Sequence, residues 1–129
     1  MKSTLIALGL AASFLAPTAA LADSYTIDAT HAHAAFRVSH LGFSHTLGQF
    51  KDITGTIEFD ADPPENSSVS VTIATASVDS ANEARDEHLR KADFLNVEAF
   101  PTMTFTSTSI EVTGEETAKI TGDLTLLGV

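Results

Sequence analysis

The 129-residue chain contains no cysteine. That absence excludes disulfide staples, thiol catalysis, zinc–cysteine sites and haem attachment through cysteine. Whatever core the chain builds must hold by packing alone. Basic residues are scarce: seven Lys and Arg stand against seventeen Asp and Glu, a formal net charge of −10. So acidic a chain repels nucleic acid and anionic headgroups, though it can still hold a lipid by its tail. There is no G-x-S-x-G nucleophile motif, no glycine-rich phosphate loop, no internal repeat and no low-complexity linker. Nor is there an apolar run long enough to span a bilayer, which needs about 20 residues. The run that exists, Leu5–Leu15, follows Lys2 and precedes Pro17 and the small-x-small triplet Ala20-Leu21-Ala22. This pattern reads as a secretory signal peptide cut after Ala22, and it implies a periplasmic protein. Setting residues 1–22 aside removes Lys2 alone among the charged residues, so the remaining 107 residues carry −11. That length fits one domain, residues 23–129.

What is present is mostly alternation. Phe36, Val38 and His40 share one face of "AAFRVSHL", with Arg37 and Ser39 on the other. Ile53, Ile57 and Phe59 alternate with Thr54, Thr56 and Glu58; Val69, Val71 and Ile73 alternate with Ser70, Thr72 and Ala74. Met103 and Phe105 alternate with threonines, and Ile120, Leu124 and Leu126 with Lys119, Thr121, Asp123 and Thr125. Period two of this kind marks antiparallel strands with one buried and one wet face. With "SYTID" near the start there are six strand candidates. "DADPPENS" (Asp60–Ser67) is a loop by composition, and "TGEET" (Thr113–Thr117) a hairpin connection. The fold class is therefore all-β, an antiparallel barrel or sandwich.

One stretch breaks the pattern. "SVDSANEARDEHLRKADFLNVEAFPTMTF" (Ser77–Phe105) crowds charges together. Ser80 and Glu83 fit a capping box, and Asp86–Arg90 and Glu87–Lys91 are favourable i,i+4 pairs. The spacing predicts a helix over about residues 81–92, stopped before Pro101. Such an insert, charged outside with Leu89, Phe94, Leu95 and Phe100 inside, would cap one open end of a barrel.

The chain resembles the YceI-like family of exported, lipocalin-like proteins that bind polyisoprenoid lipids. Tyr25, Ile27, Asp28, His31, Phe36, Val38, His40 and Gly42 fit the family's opening pattern, followed by Gly48, Phe50, Gly55, Ile57 and Phe59. The most specific part is the insert, where Asn82, Glu83, Arg85, Asp86, His88, Leu89, Asp93, Phe94, Pro101 and Phe105 match; "TGDLTLLGV" matches a late strand. His33 departs from the family, which usually has a small residue there. The resemblance implies an eight-stranded antiparallel barrel with a long apolar pore, an isoprenoid lipid or isoprenoid quinone as non-covalent ligand, and no catalysis and no cofactor. The family's domain continues with further strands beyond "GDLTLLGV", so the expectation is a C-terminally truncated barrel of about six of the eight strands. The last strand's open edge then leaves a homodimer open.

Apolar inward faces by themselves are compatible with a filled core. The resemblance turns them into a ligand-binding lining: Phe36, Val38, His40, Phe50, Ile57, Phe59, Val71, Ile73, Phe94, Met103 and Phe105. His40, beside Phe36 and Val38, could bond a quinone ring; His31 and His40 otherwise read as partly buried, satisfied histidines. His31 and His33 form an H-x-H pair, short of the three or four ligands of a metal site, and no metal is expected. Two rival functions remain: an enzyme acting on a small hydrophobic substrate through His88 and Asp86, and a histidine-dependent metal-binding stress protein. The function expected from the sequence is a periplasmic carrier or store of an isoprenoid lipid. Its partners are the lipid and, transiently, a membrane, with no nucleic acid.

Overall fold

A computed structural model describes residues 22–129. The expected signal peptide falls almost wholly outside them. Eight strands and one helix follow in the order β1 (Asp23–Thr26), β2 (Ala34–His40), β3 (Ser44–Phe50), β4 (Ile53–Phe59), β5 (Ser68–Ala74), β6 (Val78–Asp79), α1 (Glu83–Leu89), β7 (Thr102–Gly114) and β8 (Thr117–Thr125). All pairings are antiparallel. They form a five-stranded sheet, β1-β4-β5-β7-β8, and a three-stranded sheet, β2-β3-β6. The sheets are not closed into one barrel: β8 ends the larger sheet and β2 the smaller.

Alternation located six of these strands. The two it did not show are β3 and β6. In β3 the inward positions include Gly48, which pairs with Phe36 across the hairpin. A Cβ at Gly48 would run into the Phe36 ring. The apolar bulk that should have marked β3 therefore sits on β2. The β6 strand is two residues long, too short for any period.

Opposed residues of an antiparallel pair share a face, so the register places the apolar side chains. Tyr25, Ile57 and Val69 align across β1, β4 and β5. Gly55, Val71, Phe105 and Leu124 form the next row, and Ile53, Ile73 and Met103 the one after. The row nearest the helix is covered: Ile73 and Met103 are buried, as is Val78 from β6. The outer rows are not, and Leu124 keeps 58% of its surface exposed. The result is a half-barrel whose apolar concave wall is open.

The helix is shorter than expected at both ends. Asn82, not Ser80, caps it, its side chain accepting from the Arg85 amide. Ser80 is drawn away by Asp86, which is buried and accepts from the Ser80 amide at 2.9 Å and its hydroxyl at 2.5 Å. Asp86 thus forms no ion pair with Arg90. Arg90 instead donates to the Ala76 and Val78 carbonyls, at 2.8 and 3.0 Å. The Asp86 carboxylate is turned inward to Ser80, which leaves Arg90 to satisfy its guanidinium on main-chain carbonyls within reach.

Candidate functional site

Between the small sheet and the helix lies an apolar cavity of about 380 Å³. Its lining is Phe36, Val38, Phe50, Val78, Leu89, Phe94, Leu95 and Leu126. Each element contributes by its own geometry. Phe36 and Val38 stand two apart on the inner face of β2, and Phe50 ends β3. The Phe36 and Phe50 rings meet tilted, with centroids 5.5 Å apart, a spacing aromatic pairs favour. Val78 pairs with Phe50 through β6. Leu89 is the last residue of α1; Phe94 and Leu95 come from the turn after it; Leu126 follows β8.

The lid is fastened by its charges. Arg85 donates through Nε to the Ser80 hydroxyl at 2.7 Å and through Nη2 to the Ser80 carbonyl at 2.6 Å. With Asp86 and Arg90 it ties α1 to β6. The turn carrying Phe94 is closed by His88 Nε2 and Asp93 Oδ2 at 3.0 Å. That bond is the main cause holding the Asp93 carboxyl below its ordinary pKa. The His88 ring also meets the Phe94 ring edge-on, centroids 4.8 Å apart. At the other side of the lid, the Ala81 amide and then Lys51, 3.0 Å away, lower Asp79. The insert is thus charged outside and apolar inside.

Of the residues expected to line a ligand site, Phe36, Val38, Phe50 and Phe94 come together in this cavity. Ile57, Phe59, Val71, Ile73, Met103 and Phe105 do not. They belong to the concave face of the other sheet, where Ile73 and Met103 pack against each other as core. His40 lies on the same face of β2 as Val38 but two pairs farther along, exposed and outside the lining. Leu89 and Leu95 line the cavity as the amphipathic insert required. Phe100 does not; its ring packs beside Gly128 and its carbonyl accepts from the buried Thr75 hydroxyl at 2.7 Å. Val78 and Leu126 were missed. A two-residue strand has no period to mark Val78, and alternation put Leu126 on an inward face without telling that it reaches this cavity.

His88 and Asp86 do not pair: His88 bonds Asp93, while Asp86 is buried against Ser80. His31 is exposed, not partly buried, and bonds Asp28 Oδ2 at 2.7 Å within a turn. Among the described residues no three His, Asp or Glu side chains converge with metal-ligand spacing. Also among them, no helix is long and apolar enough to cross a membrane.

An open antiparallel half-barrel, a helical lid carrying the N-E-A-R-D-E-H-L run and an apolar cavity beneath it invite comparison with known proteins. The YceI-like domain model matches residues 25–129. This chain belongs to the YceI-like family. Its relatives include a UPF0312 protein of Ectopseudomonas mendocina, 53% identical over 131 residues, and Protein YceI of Escherichia coli O157:H7, 48% identical over 131 residues. Each match covers 100% of this chain and 68% of the relative. Among solved structures, Burkholderia cenocepacia BcnA superposes with a TM-score of 0.71 at 26% identity, over 79% of this chain and 64% of that one. The Campylobacter jejuni YCEI protein superposes with a TM-score of 0.63 at 41% identity, over 81% and 61%. The chain thus spans about two thirds of the length of the YceI-like proteins it matches. These likenesses assign the half-barrel to the YceI-like, lipocalin-like fold. None of these YceI-like relatives bears an enzyme's name.

Proposed function

We propose that this chain carries or stores an isoprenoid lipid, a polyisoprenoid or an isoprenoid quinone, in the periplasm. The observation that carries the reading is the cavity of about 380 Å³ whose lining side chains are all apolar. Pockets for small ligands begin at about 300 Å³. A longer tail has somewhere to go, because the concave face of the larger sheet presents Phe105, Leu124, Ile57 and Tyr25 in register. The wall suits a branched hydrocarbon, and no acid or base points into it. Arg85, Asp86 and Arg90 of the insert are bonded to the segment 76–80, and His88 and Asp93 to each other.

Reversibility follows from the physics of transfer. Each buried CH₂ is worth about 0.8 kcal/mol against water. Against a bilayer interior, which is equally apolar, the same burial gains almost nothing. A carrier of this kind exchanges its lipid with membranes without trapping it. Export through the expected signal peptide would place it beside two membranes.

The deciding experiment is native mass spectrometry of protein recovered from the periplasm of an expressing bacterium, with identification of any retained lipid. A chain cleaved after Ala22 that carries an isoprenoid adduct is the expected result. Unprocessed protein, or a processed chain that retains no isoprenoid after incubation with one, counts against the proposal.

A further inference from the structure

The β2–β3 hairpin ends in a tip whose chemistry opposes its surroundings. Leu41 is 80% exposed and Phe43 is 93% exposed. The turn is tight: the Phe43 amide donates to the His40 carbonyl at 3.1 Å, with Leu41 at φ +54° and Gly42 at φ +77°. Two successive positive φ values call for Asn-Gly or Asp-Gly. Gly42 meets that demand, but Leu41 does not, since a bulky side chain is disfavoured in the left-handed region. Leucine here is therefore a poor choice twice over, for the turn and for water.

Charge sets the same hairpin apart. Residues 29–51 hold none of the chain's seventeen acids, and the charged or titratable residues nearest the tip are His40 and His45, then Arg37; Lys51, at the far end of the hairpin, is paired with Asp79. The remainder of the chain is strongly acidic. At physiological salt, charges are screened beyond about 8 Å, so a surface that meets the tip first feels the hairpin and not the chain average. The repulsion of headgroups expected from net charge does not apply at this one place.

We propose that the Leu41–Phe43 tip inserts into the headgroup region of a phospholipid bilayer and docks the protein there. Exposed bulky apolar side chains gain by burial at the headgroup–acyl boundary, and no acid within this hairpin opposes their approach. The strand behind the tip carries Phe36 and Val38, which line the cavity. At about 3.3 Å per residue, Leu41 lies roughly 10 Å beyond Val38 along the chain. Docking therefore brings the Val38 edge of the cavity wall to within roughly 10 Å of the inserted tip. This deepens the carrier reading, and rests on it for its purpose but not for its test.

The test uses the exported, processed protein and vesicles of phosphatidylethanolamine with phosphatidylglycerol. Co-flotation is compared for the wild type, Leu41→Asn/Phe43→Ser, and Leu47→Ser, a hairpin change away from the tip. The tip variant is expected to lose at least about tenfold in vesicle partitioning, with Leu47→Ser close to wild type. Because Asn suits the turn, the tip variant should unfold at a temperature no lower than wild type, which separates docking from folding. Its isoprenoid retention in vesicle-free buffer should be unchanged. A wild type that does not float, or a tip variant that floats as well as wild type, overturns the proposal. So does a concentration-dependent dimer that the tip variant abolishes while vesicle binding is absent, since the tip would then meet a second copy. A protein that floats through its tip but retains no isoprenoid upholds the docking and refutes the carrier function instead.

Discussion

Asp86→Ala should unfasten the lid more than any other single change within it. Asp86 and Ser80 are both buried. The carboxylate accepts the Ser80 amide and hydroxyl, and that hydroxyl in turn accepts Arg85 Nε. Removing the carboxylate strands the buried amide, a loss of about 1–3 kcal/mol. The hydroxyl can rotate and keeps Arg85 as a donor, so its loss is smaller. Together they predict a destabilisation of about 2–4 kcal/mol, large against the 5–15 kcal/mol of an ordinary domain. Asp86→Asn retains an acceptor oxygen at the same place and should cost about half as much. Urea unfolding monitored by circular dichroism reads both, with an unchanged m value showing that the denatured state is not the cause. A double-mutant cycle with Ser80→Ala should be non-additive by about 1–2 kcal/mol. Loss of under about 0.5 kcal/mol in Asp86→Ala, or additivity in the cycle, would refute the claim that this pair anchors the helix.

Phe94→Asp, which places a charge in the cavity wall, should reduce isoprenoid retention at least about tenfold, whereas Glu87→Ala on the exposed face should leave it unchanged; equal retention in a lipid-extraction assay would remove the lid from the mechanism. Gly48→Ala forces the Phe36 ring to move and should cost about 1–3 kcal/mol, much of it recovered in Gly48→Ala/Phe36→Leu; recovery is checked by thermal unfolding. Asp93 is lowered from the usual 3.8 chiefly by its bond from His88. Its contribution is therefore fully present above that value and is lost as pH falls through the lower folded value. Asp93→Asn should flatten the acid limb of a stability–pH profile below about pH 4 and leave the slope near neutrality alone, with Asp79→Asn behaving alike.

The legible part of the fold was the part with a period. Six strands showed because Thr, Ser and Lys faced water while Ile, Val and Phe faced inward. The β3 strand was hidden because Gly48 lends its place to a ring from the neighbouring strand, an exchange between chain segments that no local window contains. The helix showed in its composition, but its start was misplaced: Ser80 and Glu83 fit a cap by spacing, while a buried carboxylate competed for the serine. Alternation also told which side of a strand is apolar without telling which sheet the strand joins. That is why Phe36, Val38, Phe50 and Phe94 meet at the cavity while Val71, Phe105 and Ile57 form a different wall. Val78 and Leu126 reach the cavity by tertiary placement alone.

Arg85 and Arg90 hold the lid through main-chain carbonyls, those of Ser80, Ala76 and Val78. A carbonyl is present whatever side chain its residue bears. Val78 shows what this allows, since its carbonyl anchors Arg90 while its side chain lines the cavity. A smaller side chain at this buried position would widen the cavity and leave the bond from Arg90 to its carbonyl in place. Attachment and selectivity are thus inherited separately at a single residue. In the proposed carrier, descendants of this sequence could come to favour different hydrocarbons while holding the helix in the same way.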